Sequence, residues 1–167
     1  MDITTQMVKE LRERTGAGIM ECRGILIETE GDMDKAVGIL REKGLLKAQK
    51  KIERATGQGL VEAYVHTAGR LAAMIEINCE TDFMARTDVF KELAHSLAMQ
   101  VAALSPKYVS QEAMPADETA DPKEVCLLLQ PYIRDPARTV NDIVIEAIAK
   151  TGENIRVRRF VRFELGC

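Results

Sequence analysis

The 167 residues are 46% apolar and 29% charged, inside the range of folded globular chains and away from disordered or fibrous compositions. A chain of this length buries about 70% of the surface its unfolded form exposes, enough for one or two domains without disulfide staples. The 23 Lys and Arg against 26 Asp and Glu leave a net charge of −3, which excludes wholesale coating of nucleic acid or an acidic membrane and confines any basic contact to a local patch.

No apolar run approaches the ~18 residues of a membrane-spanning helix. The start Met1-Asp2-Ile3-Thr4 lacks a basic segment followed by an apolar one, so a cytoplasmic protein with no membrane partner is expected. Cys22, Cys79, Cys126 and Cys167 lie far apart, without a C-x-x-C pair or a metal-ligand rhythm. Reduced thiols, no metal and no cofactor are the expectation. Cys167 ends the chain and is expected exposed, a tail thiol that oxidation could join to a second chain.

Ile3, Met7, Val8 and Leu11 recur at helical spacing behind Thr4, a natural N-cap, and Thr15-Gly16 supplies the break. A second helix is predicted from about Gly18 to Glu30, ending at Gly31. Asp32 then caps a third that carries Met33, Ala36, Val37 and Leu40 and stops at Gly44. Such a small bundle has no room for a catalytic cleft and suits binding. Lys47 to Arg54 carry four positive charges on a helical connector, and Gly57 and Gly59 follow as a hinge.

From Gln58 the period becomes two, with Val61, Ala63 and Val65 alternating against Glu62, Tyr64 and His66. Thr67-Ala68-Gly69 turns the chain into a second strand, Arg70 to Asn78, with Leu71, Ala73, Ile75 and Ile77 on one face. A helix from Asp88 to Leu104, capped by Thr87, presents a broad apolar stripe to that hairpin. Three prolines and several acids predict an irregular connection over 105–122. A third strand is expected at Val125 to Ile133, then a helix near Thr139 to Lys150. The last strand, Ile155 to Leu165, alternates except at the reversed pair Arg159 and Phe160. The fold class is α+β, a three-helix bundle followed by a core with an antiparallel sheet packed on helices.

Catalytic constellations are weak. His66 sits by a turn and His95 on an amphipathic helix, Glu80 and Asp82 lack a surrounding pocket, and Gly16-Ala17-Gly18 follows a helix where a phosphate loop needs a strand. The distinctive segment is Asn78-Cys79-Glu80-Thr81-Asp82-Phe83-Met84-Ala85-Arg86, which leaves a strand and delivers an aromatic and a methionine flanked by charges. Loops on rigid supports concentrate binding residues, although on the residues alone an inward, core-filling Phe83 is the favoured reading.

That segment, together with Val8-Lys9-Glu10-Leu11-Arg12-Glu13-Arg14-Thr15-Gly16-Ala17-Gly18 and the closing Gly152-Glu153-Asn154-Ile155 and Arg158-Arg159-Phe160-Val161-Arg162-Phe163, closely resembles bacterial elongation factor Ts from end to end and in order. The resemblance implies a non-catalytic guanine-nucleotide exchange factor of translation elongation, acting on elongation factor Tu. It implies a ubiquitin-associated-like docking domain over 1–46, a basic helical linker over 47–57, and an α+β core and dimerisation domain over 58–167. Ile19, Met20, Cys22 and Arg23 then belong to the docking helix. Thr81, Asp82, Phe83 and Met84 belong to the segment that dislodges the partner's magnesium, with Phe83 as wedge and Asp82 fixing the tip.

Some positions depart from the family pattern. Gly24 and Ile25 stand where lysine and alanine are usual, and Met84 where valine is common. After Pro115 the long helical hairpin of many relatives is missing. The chain resembles the short, single-core form, for which a homodimer is expected, with the Arg156, Arg158 and Arg162 stripe either near an interface or solvated. Two other classes compete: a small RNA-associated translation protein using Lys47, Lys50, Lys51 and Arg54 with the C-terminal arginines, opposed by the near-neutral charge, and a thiol enzyme built on Cys79 and His66.

Overall fold

A computed structural model describes residues 3–166. Met1, Asp2 and the tail thiol expected at Cys167 lie outside the described residues. The chain forms two compact units, one holding the segment up to Glu53 with Ile145–Glu153, the other Arg54–Val144 with the chain from Asn154 onward.

The first unit is helical: α1 (Thr5–Thr15), α2 (Ile19–Glu28) and α3 (Met33–Gln49). Thr4 caps α1 by accepting from the Met7 N–H, and Asp32 caps α3 by accepting from the Lys35 N–H at 3.0 Å. Gly16 closes α1 at φ 71°, the left-handed geometry that glycine tolerates. Val8, Leu11, Cys22, Ile25, Leu26, Ala36, Val37 and Leu40 form the core, the positions that the helical period selects. Gly44 does not stop α3, which runs on to Gln49. A Cβ on Gly44 would stand 3.2 Å from the Ala149 methyl, so this glycine serves close packing rather than termination. The basic connector thus begins as the last turn of α3.

In the second unit β1 (Gln58–Val65), β2 (Leu71–Cys79) and β5 (Ile155–Glu164) form an antiparallel sheet in the order β1-β2-β5. A single 3-10 turn at Thr67–Gly69 joins β1 to β2, where predicted, with Ala68 held at φ 72°. Gly59 is a strand residue and not a hinge: it pairs with Asn78, and a Cβ there would lie 2.1 Å from the Ile77 carbonyl oxygen. The register sets Leu60, Glu62 and Tyr64 opposite Ile77, Ile75 and Ala73. Those residues share the covered face, and Val61, Ala63 and Val65 turn outward.

The covering helix is α5 (Asp88–Leu104), capped by Thr87 through the Phe90 N–H. Its buried Phe90, Leu93, Ala94, Leu97, Ala98 and Val101 follow the predicted stripe. A short helix α4 (Asp82–Ala85) precedes it.

The third strand expected at Val125 to Ile133 does not form. The chain makes α6 (Pro122–Val125), a 3-10 turn at Leu127–Leu129 and only β3 (Pro131–Tyr132), which pairs with β4 (Asp135–Thr139) apart from the main sheet. The run Val125-Cys126-Leu127-Leu128-Leu129 is apolar without alternation. Its N–H groups are spent on a turn and on the chain at Tyr108 and Val109: Leu129 donates to Cys126, Leu127 to Tyr108 and Leu128 to Val109. The turn to β4 is made at 133–134, so Asp135 and Pro136 are strand residues. Helix α7 (Val140–Thr151) follows, with Thr139 and Asp142 exchanging reciprocal capping bonds, and Gly152 at φ 80° ends it.

Candidate partner-binding site

Strand β2 ends at the buried Cys79, and Glu80 leads into Thr81, whose hydroxyl accepts from the Met84 N–H at 3.2 Å. This cap starts α4. Arg86 closes it from below, its Nη2 2.8 Å from Asp82 Oδ2. Thr87 donates to the Met84 carbonyl at 2.8 Å and caps α5 with the same oxygen, so the two threonines bracket the tip. Met84 is buried, while Phe83 is 78% exposed. An inward Phe83 is thereby excluded, since a helix of one turn that buries Met84 directs its predecessor outward.

The base of the tip is tied to distant segments. Glu80 Oε1 accepts from the Asn154 backbone N–H at 2.6 Å and lies 3.5 Å from Arg54 Nη1. The Asn154 amide donates to the Arg54 carbonyl at 2.7 Å. Cys79 Sγ donates to the Thr81 carbonyl at 3.2 Å.

In the helical unit Ile19, Met20 and Arg23 come together on the outside of α2, with Met20 75% exposed. With Val8, Lys9 and Arg12 of α1 they line a groove of about 460 Å³ whose charged residues are all cationic. Sequence reasoning missed the α1 wall, although Lys9 and Arg12 stand three apart on one helical face. Cys22 is fully buried beneath this surface, and burial pushes its thiol pKa up. The two groups of residues belong to different units, and each is complete within its own.

The competing chemistries find little support in the geometry. Cys79 pairs with Gln58 at one end of the hairpin and His66 borders the turn at the other, so eight residue steps of extended chain, roughly 26 Å, separate thiol and imidazole. His66 Nδ1 is held 2.8 Å from the Tyr64 hydroxyl. Several of the basic residues are engaged within the chain: Lys47 with Glu21, Arg54 with Glu80, Arg158 and Arg159 with Glu76, Arg162 with Glu164. Among the described residues no group of three or more His, Cys, Asp or Glu could hold a metal ion, and no helix is long and apolar enough to cross a membrane.

The family described as Elongation factor TS matches residues 3–125. Elongation factor Ts of Carboxydothermus hydrogenoformans is 50% identical, covering 98% of this chain and 89% of its own length. The chain belongs to the elongation factor Ts family. Elongation factor Ts proteins of Heliobacterium modesticaldum, 48% identical over 98% of this chain and 90% of the relative, and of Coprothermobacter proteolyticus, 45% identical over 99% and 100%, agree. These matches extend over 194 to 196 positions against a chain of 167 residues, so more than two dozen positions of these elongation factor Ts relatives face gaps here. The resemblance to elongation factor Ts put such a shortening after Pro115. In this chain the connection from α5 to α6 is closed by Tyr108, whose hydroxyl donates to Glu118 at 3.0 Å, and by Lys107 and Tyr108 N–H bonds to the Val125 carbonyl.

Proposed function

We propose that this member of the family, a nucleotide exchange factor in translation elongation, docks on elongation factor Tu through the α1–α2 groove and opens the nucleotide site with Phe83. The supporting observation is the exposed phenyl ring on a capped single turn that is anchored below by Met84. Magnesium demands near-octahedral oxygen ligands at tight distances, so a small displacement of the partner's helices and phosphate loop disrupts its coordination and releases GDP. Asp82, paired with Arg86, holds the shape of the tip rather than taking the ion. Cys22 supports the docking surface from inside. No covalent bond is made or broken, and no cofactor or nucleic acid takes part; the reaction belongs to the cytoplasm, where the partner works.

Linkage sets the energetics. Factor and nucleotide weaken each other's binding by the same ratio, and a thousandfold ratio needs about 4 kcal/mol of coupling, within reach of a buried aromatic anchor plus a lost metal contact. The test is the release of fluorescent GDP from elongation factor Tu. The wild-type chain accelerates it, and Phe83→Ala lowers the acceleration tenfold or more (on the order of a hot-spot truncation) without lowering Tm. Equal acceleration by the variant rejects the wedge.

A homodimer completes the proposal. Val61, Met74, Val161 and Phe163 stand exposed on the outer sheet face, with Ala63 opposite Met74 and Ala72 opposite Phe163. A second copy laid on this face removes the apolar surface from water.

A further inference from the structure

We propose that Glu80 is the positioning residue of the exchange tip, aiming Phe83 by tying its base to Arg54 and Asn154. This inference rests on the wedge reading above. A helix of four residues has no stability of its own, and the bonds inside it fix its shape but not its direction. Thr81 to Met84 and Arg86 to Asp82 are bonds of this internal kind. Direction requires contacts to the body of the unit at both ends. Met84 supplies one by burial. Glu80 stands at the other, between the buried end of β2 and the capping Thr81.

Its carboxylate reaches away from the tip to segments that are remote in sequence. It accepts from the N–H of Asn154, the residue before β5, at 2.6 Å, and pairs with Arg54, ahead of β1, at 3.5 Å. The Asn154 side chain closes the triangle on the Arg54 carbonyl at 2.7 Å. Charge-assisted bonds of this type are shorter and stronger than neutral ones. The end of β2 and the segments leading into β1 and β5 therefore meet at one carboxylate, immediately before the segment that presents Phe83. Without it the tip swings about the Cys79–Thr81 link, and the ring reaches the partner in many orientations. The groove that docks the partner lies in the other unit, so maximal rate is lost in preference to affinity.

The experiment compares GDP release from elongation factor Tu, at saturating and sub-saturating factor, for wild type, Glu80→Ala, Glu80→Gln, Phe83→Ala and the double variant Glu80→Ala/Phe83→Ala, with Tm measured for each. Glu80→Ala is expected to lower the maximal rate about tenfold while the half-saturating concentration changes less than about threefold. Glu80→Gln, which keeps an acceptor for Asn154, restores most of the rate. In the Phe83→Ala background Glu80→Ala costs nothing further, because it acts only through the ring. A wild-type rate for Glu80→Ala beside a slow Phe83→Ala overturns this inference alone, as does an equal loss with and without Phe83. A wild-type rate for Phe83→Ala overturns the wedge and this inference with it. If Glu80→Ala does not fold, Arg54→Met, at an exposed position that keeps its carbonyl, carries the test: a loss of about twofold that vanishes without Phe83 supports the proposal, and unchanged release overturns it.

Discussion

Arg159 faces Glu76 across the ladder between β5 and β2, its Nε 2.7 Å from Oε2, and Arg158 approaches the other oxygen of the same carboxylate at 3.6 Å. The register explains the doubling: Glu76 pairs with Arg159 and Ile77 with Val157, so Arg158 is the extra residue of a β-bulge. Arg159 first, and Arg158 more weakly, hold the Glu76 carboxyl below its ordinary value of 4.5. Asp32 at the start of α3 and Glu118 beneath Tyr108 are lowered too, each first of all by a backbone N–H, from Lys35 and Ala120 respectively.

A carboxylate whose folded pKa is depressed contributes stability that is complete above the unfolded value and is lost as pH falls toward the folded one. Thermal melts are therefore expected to hold level from neutral pH to about 5 and to decline below about 4.5, through the ordinary carboxylate range. Glu76→Gln should lower Tm at pH 7 and flatten the acid decline. A variant curve parallel to wild type would deny Glu76 that part.

Gly59→Ala is expected to destabilise by roughly 2 kcal/mol or more, because a backbone oxygen and not a flexible side chain occupies the Cβ position. Gly57→Ala, with nothing within 4 Å of its Cβ, should be close to neutral. Urea denaturation of the two variants separates a strand requirement from a hinge, which would make both positions tolerant.

Met20→Asp should leave the unfolding free energy within about 0.5 kcal/mol of wild type, as an exposed substitution does, and weaken binding of elongation factor Tu about tenfold or more. Binding measured by calorimetry at wild-type strength would move docking away from α2.

Cys22 and Cys126 are buried, and burial is the first cause raising both thiol pKa values, so neither offers thiolate to a reagent. A thiol probe at pH 8 should label them only on unfolding, at the rate of the denaturation signal. Fast labelling of Cys22 in the folded chain would mean that α2 opens.

Met74→Lys places a charge at the centre of the outer sheet face, where Ala63 and Val161 flank it. Sedimentation should report a shift from dimer to monomer with the far-ultraviolet spectrum retained. A dimer that survives the charge must associate elsewhere.

Much of this architecture is readable from spacing. The helical period picks the bundle core, Thr4, Asp32 and Thr87 cap as their side chains suggest, and the reversal of alternation at Arg159 and Phe160 marks the bulge. Other features depend on partners that a local pattern does not contain. Gly44 looks like a stop until Ala149 lies against it, and Gly59 looks like a hinge until Ile77 does. Val125 to Leu129 resemble a buried strand, but their backbone bonds go to Tyr108, Val109 and neighbouring turns. At the site, the Thr81 to Met84 segment announces itself by residue type, yet whether Phe83 points in or out is decided by the capped turn. The tie from Glu80 to Asn154 spans 74 residues and no periodicity reports it.

The order in which the chain is synthesised gives that tie a further meaning. Phe83 is synthesised about seventy residues before Asn154, which stands just ahead of β5. A nascent chain that has not yet reached Asn154 thus carries Phe83 without the backbone bond that Glu80 accepts. Closure of the bonds at the base of α4 therefore waits for the segment that leads into β5.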